Sequence, residues 1–156
     1  MKSSNKNIKI CIVSSSGGHL FKIMQLKSWW KKYNRFWVVK NDFFTKNILN
    51  KEKKYYGFFP ENRNIINFFK NLFLAYKILY QEKPNILFSM GAGIAPPFFL
   101  IAKIFGIKTI FIETFILIPK PTLSGKIIYR IAAHFLVQNK QLLSTYPHAN
   151  YLGKCL

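Results

Sequence analysis

Short apolar runs alternate along this chain with longer segments of helical period. Ile8–Ser14, Phe36–Val39, Tyr55–Phe59, Ile86–Ser89, Thr109–Ile112 and Phe135–Val137 are rich in β-branched and aromatic residues and predict strands. Between the first two, Leu20, Ile23, Met24, Leu26 and Trp30 share a helix face, with Lys22, Gln25, Lys31 and Lys32 opposite. A long helix is predicted over Ile65–Gln81 and is stopped by Lys83-Pro84. Further helices are expected from Ile94 or Pro96 to Phe105 and from Thr122 to Ala133. Strands that alternate with helices, and that are apolar throughout, indicate an α/β fold with a parallel sheet covered on both faces. The 156 residues show no repeat, low-complexity tract or internal linker, and suit a single domain over 1–156.

In such a sheet, ligands bind beyond the C-terminal ends of the strands. Three polar features fall there. Ser14-Ser15-Ser16-Gly17-Gly18-His19 follows the first strand, Ser89–Gly93 follows Ile86–Phe88, and Glu113-Thr114 follows Thr109–Ile112. A Ser/Gly turn feeding a helix brings backbone N–H groups to an anion, and His19 adds a group that titrates near neutral pH. The turn is neither G-x-G-x-x-G nor a P-loop, and a plain structural turn also fits it. Gly91 and Gly93 precede another helix start and offer a second anion or sugar contact, or again a tight turn. Glu113 lies between Phe111-Ile112 and Phe115-Ile116. A carboxylate there needs a partner, and reads as a helix cap, a ligand for a substrate hydroxyl, or a general base.

Charge adds a further constraint. Lys and Arg number 24 against 5 Asp and Glu, for a formal net charge of +19. Such an excess fits a nucleic acid, an anionic membrane surface or a phosphorylated substrate, or simply a solvated lysine surface. The basic residues are mostly dispersed lysines and no nucleic-acid module is present, so nucleic acid is not the expected partner. The Ile65–Gln81 helix bears on the choice. Its polar arc holds Asn67, Lys70, Asn71, Lys77 and Gln81, leaving an apolar arc wider than one sheet face requires. Either that arc is buried, or its surplus meets a membrane or a partner. Ile94–Ile118 is interrupted by prolines and charges and does not suit a membrane span. Met1–Lys9 is polar and basic, so no signal peptide is expected. Cys11 reads as a small buried residue and Cys155 lies beside the C-terminus. Neither implies a disulfide framework or metal site, which fits a reducing compartment.

Taken together, Val13–Leu20, Ser89–Phe99, Ile112–Phe115, Lys120–Lys126 and Phe135–Gln138 resemble, in order, the motifs of the Alg14-like family, which includes bacterial PssD/EpsE-type polysaccharide proteins. The resemblance spans about Ile8 to Gly153. It implies a Rossmann-like domain that is one half, the acceptor side, of a GT-B glycosyltransferase, related to the N-terminal domain of MurG. The donor-binding half is then a separate Alg13/PssE-type partner. Such a pair transfers N-acetylglucosamine, glucose or galactose from a UDP-sugar to a lipid-diphosphate-linked acceptor at the cytoplasmic face of the membrane, where this chain would sit peripherally and recruit its partner. By the resemblance, His19 and Glu113 are the candidates for catalytic base. Ser16, Gly17, Gly18, Gly91, Gly93 and Thr114 are the candidate acceptor-diphosphate ligands. No metal and no cofactor are expected, the UDP-sugar being bound mainly by the partner. Relatives often carry an Arg shortly after the acidic residue. Here the stretch is Phe115-Ile116-Leu117-Ile118, so Lys120 or the partner would have to supply that charge. The alternative is a non-catalytic membrane scaffold that enhances a partner transferase.

Overall fold

The computed structural model describes residues 7–61, 63–113 and 121–153. Seven strands form one parallel sheet in the order β3-β2-β1-β4-β5-β6-β7. They are β1 (Lys9–Val13), β2 (Asn34–Val39), β3 (Lys54–Tyr56), β4 (Ile86–Ser89), β5 (Lys108–Glu113), β6 (His134–Val137) and β7 (Asn150–Tyr151). This is the doubly wound, Rossmann-like arrangement. The order reverses between β1 and β4, whose registers align Val13 with Ser89, so the loops leaving those strands diverge and open a crevice between them.

Period-two alternation divides the core. Cys11, Val13, Phe36, Val38, Leu87 and Phe111 point to one face, where α4 (Ile65–Glu82), α5 (Ala95–Ile104) and α6 (Leu123–Tyr129) pack. Ile10, Ile12, Trp37, Val39 and Phe88 point to the other, against Leu20 and Ile23 of α1 (Gly18–Gln25) and Trp30 of α2 (Lys27–Trp30). Cys11 is fully buried, as expected, and burial pushes its thiol pKa up.

Three differences from the sequence reading have local causes. The helix expected through Leu26 breaks there. Trp30 turns back and donates its indole N–H to the Ile23 carbonyl at 2.8 Å, which anchors the second short helix. A helix α3 (Phe43–Ile48), nucleated by Asp42 accepting the Thr45 N–H, occupies a stretch with no clear apolar period. Asn71 belongs to the buried face of α4, not to its polar arc. It is 1% exposed and pairs with both the N–H and the C=O of Phe58, each at 2.9 Å, as a neighbouring strand would. Much of the wide apolar arc of α4 is not buried within this domain. Ile65, Ile66, Phe69, Phe73, Tyr76 and Tyr80 are exposed and form a stripe along the helix, with Lys70 and Lys77 beside it. No helix among the described residues is long and apolar enough to cross a membrane.

Candidate active site

The crevice at the β1/β4 switch is a cavity of ≈ 750 Å³, within the range of small-ligand sites. It is lined by His19, the Gly91-Ala92-Gly93 loop and Pro96, by Glu113, by Thr122, Leu123, Ser124 and Ile127 at the start of α6, and by Glu61 to Ile65 and Phe68 at the start of α4, leaving aside residue 62.

The floor is built from the strand ends. Ser89 Oγ lies 2.8 Å from the Val13 carbonyl and 3.0 Å from the Gly91 carbonyl, and accepts the Gly91 N–H at 3.3 Å. That single hydroxyl ties the β1 loop to the β4 loop. Gly91 (φ 116°) and Ala92 (φ 83°) then turn through the left-handed region. The imidazole of His19 packs closely on Gly91, where a Cβ would come within 2.7 Å of its Cε1 and 2.9 Å of its Nδ1. Nδ1 of His19 is 3.1 Å from the Met90 carbonyl. A carbonyl only accepts, so Nδ1 carries the proton and Nε2 is left as an acceptor. Burial lowers the pKa of His19, against a smaller raising by the Met90 bond, and the ring is neutral at neutral pH.

Glu113 is the last residue of β5 and is 2% exposed. Burial pushes its carboxyl up to about 7, against the opposing pull of bonds from the hydroxyl and N–H of Thr122. The same hydroxyl accepts the Gly125 N–H at 2.9 Å, so its proton is directed at the carboxylate. Oε2 of Glu113 has no hydrogen-bond partner among the described residues. It occupies the space that a side chain at position 125 would fill, 1.7 Å from where a Cβ would stand. The Tyr146 hydroxyl is 2.9 Å from the same point, and its pKa is raised by burial and by Glu113.

Of the residues expected from the sequence, His19, Glu113, Gly91 and Gly93 come together in this cavity. Ser16, Gly17 and Gly18 do not line it. Gly17 and Gly18 are exposed, with open space beyond both, and the Ser16 hydroxyl bonds to Asp42. The turn still supplies an uncapped start to α1 beside His19. Thr114 and Lys120 lie outside the described residues. Among those residues no cluster of His, Cys, Asp or Glu suits a metal ion. The sequence reading gave no place in the site to Glu61, Arg63 and Tyr146, and named Thr122 and Gly125 only within the Lys120–Lys126 motif and the helix expected from Thr122. A signal for Gly125 was present, since a glycine inside a helix needs a reason.

The fold and the position of this cavity define the class. The structure of MurG from Acinetobacter baumannii matches with a TM-score of 0.70 and 16% identity, over 94% of this chain and 45% of that one. The UDP-N-acetylglucosamine 2-epimerase of Rickettsia bellii matches at 0.71 and 14%, over 94% and 44%. The chain thus spans less than half the length of either and shares the Rossmann-like α/β fold of one part of each. The family model described as "Oligosaccharide biosynthesis protein Alg14 like" matches residues 60–155, and the chain belongs to that family. Human "UDP-N-acetylglucosamine transferase subunit ALG14" is 24% identical over 180 residues, 96% of this chain and 83% of the relative. The rat protein of the same name is 28% identical over 90 residues, covering 54% and 42%.

Proposed function

We propose that this chain is the acceptor-side subunit of a two-chain UDP-sugar glycosyltransferase. The observation that carries the reading is the convergence of His19 and Glu113 on one cavity at the switch point of a sheet shared with MurG. The names of the human and rat relatives favour UDP-N-acetylglucosamine as donor; glucose and galactose are the other donors to try. The donor would be held by an Alg13/PssE-type partner, and the acceptor is a lipid-diphosphate-linked glycan of polysaccharide or lipid-linked oligosaccharide synthesis. In the reaction, the acceptor hydroxyl gives its proton to a base while its oxygen attacks the anomeric carbon. The bond to UDP breaks with its electron pair leaving on the diphosphate, and configuration inverts. Glu113 is assigned as the base, because Oε2 is unpartnered and a carboxyl near 7 matches proton transfer at neutral pH. Neutral His19 positions the hydroxyl through Nε2.

The test is transfer by this chain co-produced with a donor-binding partner, using radiolabelled UDP-sugar and a prenyl-diphosphate-linked acceptor. His19→Ala is expected to lower turnover by about 10²-fold while the partner remains bound. Undiminished transfer would instead support the non-catalytic scaffold. No transfer with any of the three donors would sink the enzymatic reading.

Peripheral membrane attachment, at the cytoplasmic face, is part of the proposal. The exposed stripe of α4 is an apolar surface flanked by lysines, the pattern that suits an anionic bilayer. Replacing Ile66, Phe69 and Phe73 together by Ser is expected to weaken binding to phosphatidylglycerol-containing vesicles at least about tenfold, as read by co-sedimentation. Unchanged sedimentation would reject α4 as the contact.

A further inference from the structure

The cavity has an acid, a neutral histidine and glycine loops, yet its obvious anion donors are weak. Pro96 and Pro97 remove two N–H groups from the first turn of α5, and the Ala95 N–H is already bonded to the Ala92 carbonyl at 3.1 Å. The α1 turn lies beyond the lining. Arg63 is the only Lys or Arg among the described lining residues. It is exposed, and it takes part in none of the ion pairs among the described residues, which join Lys9 and Lys53 to Glu82, Arg35 to Glu52 and Lys40 to Asp42. Its backbone is held at φ 51°. Lys83 shares that conformation as an ordinary helix C-cap, whereas Arg63 and Ala92 both adopt it on the cavity wall. Strain of this kind persists where surrounding structure enforces it, and is concentrated at binding sites.

The setting of Arg63 also specifies its ligand. It immediately precedes Asn64, the N-cap of α4, whose side chain takes the Asn67 N–H and leaves the first-turn N–H groups of Ile65 and Ile66 without intrahelical acceptors. The next residues, Ile65 and Phe68, are apolar lining, and Ile65 continues outward into the α4 stripe. Cation and apolar rail therefore adjoin at one end of the cavity. We infer that Arg63 is the ligand that captures the diphosphate of an amphiphilic substrate, with its hydrocarbon chain laid along the start of α4. The assignment of diphosphate rests on the transferase reading; the cation beside an apolar wall does not. Glu61, on the same wall, opposes the anion and sets the limit on affinity.

Calorimetric titration of the full chain with farnesyl diphosphate, inorganic pyrophosphate and farnesol tests the inference. The native chain is expected to bind farnesyl diphosphate more tightly than either other probe. Arg63→Ala should weaken that binding about 10- to 100-fold, and Arg63→Gly equally, although glycine relieves the backbone. Glu61→Gln should tighten it several-fold, an opposite sign that a purely structural role of the segment would not produce. Arg63→Ala binding farnesyl diphosphate like the native chain would overturn the assignment and move the anion to the α1 turn. So would a native chain that binds none of the probes, or that binds farnesol equally well. Arg63-dependent binding together with an inactive pair would keep this site and reject the transferase reading instead.

Discussion

Glu113→Gln is expected to lower transfer by about 10²–10⁴-fold, the usual contribution of a positioned base, and at the same time to stabilise the fold at alkaline pH. The sign follows from the raised pKa. Below its ordinary value of 4.5 the carboxyl is protonated in both the folded and unfolded chain. Between 4.5 and about 7 the unfolded chain ionises first, so stability falls as pH rises. Above about 7 both forms are ionised and the whole deficit, on the order of 3 kcal/mol, is present. Gln fills the same space without a charge. Thermal unfolding of native and variant chains should give a small difference near pH 4.5 and a large one, favouring Gln, at pH 8. A difference that stays constant over that range would show that the carboxylate is solvated and not poised as a base.

Gly125→Ala should be among the costliest single-methyl additions to this chain. In an ordinary exposed helix, Gly to Ala gains about 0.5–1 kcal/mol. Here the new Cβ would stand 1.7 Å from Oε2 and 2.8 Å from Cδ of Glu113, and 2.9 Å from the Tyr146 hydroxyl. The carboxylate must leave its seat under Thr122, or α6 must lift. Either costs about 1–3 kcal/mol and displaces Glu113, the proposed base, so transfer is expected to fall with stability. Denaturant unfolding of Gly125→Ala in a Glu113→Ala background separates the causes. With the carboxylate gone, most of the cost should vanish, a strong non-additivity between touching residues. A cost that persists undiminished would mean that Gly125 serves the helix itself.

Much of this architecture is legible in the sequence, for a physical reason. β1, β4 and β5 are buried on both faces, so their apolar runs are uninterrupted and end near the polar loops that form the cavity. α4 is long enough for its period to be unambiguous, and its start at Ile65 follows from Asn64 and its stop from Lys83-Pro84. What escapes depends on partners remote in sequence. Asn71 looks like a surface residue until the Phe58 backbone is beside it. α3 and the two-residue β7 are too short for any period to emerge. In the site, His19 and Glu113 were visible because one follows the Ser/Gly turn that leaves β1 and the other ends β5. Arg63 was not, because it lies in a connection whose sequence gives no hint that it folds over the C-terminal edge of the sheet. Gly17 and Gly18 show the converse, a conspicuous motif whose backbone lies outside the cavity while its histidine lines it.

The helix α4 joins two things usually built from separate parts. Its first turn is a wall of the cavity and the same rod carries the exposed stripe along the rest of its length, some 27 Å for 18 residues at about 1.5 Å each. Whatever plane the stripe rests on therefore fixes the attitude of the cavity, with no hinge between them. A lipid-borne substrate would then arrive by lateral diffusion within that plane, its head presented at one height and one orientation. On the proposed peripheral attachment, the search for the site would become two-dimensional, and free sugars in solution would be disfavoured by geometry before any contact with Glu113.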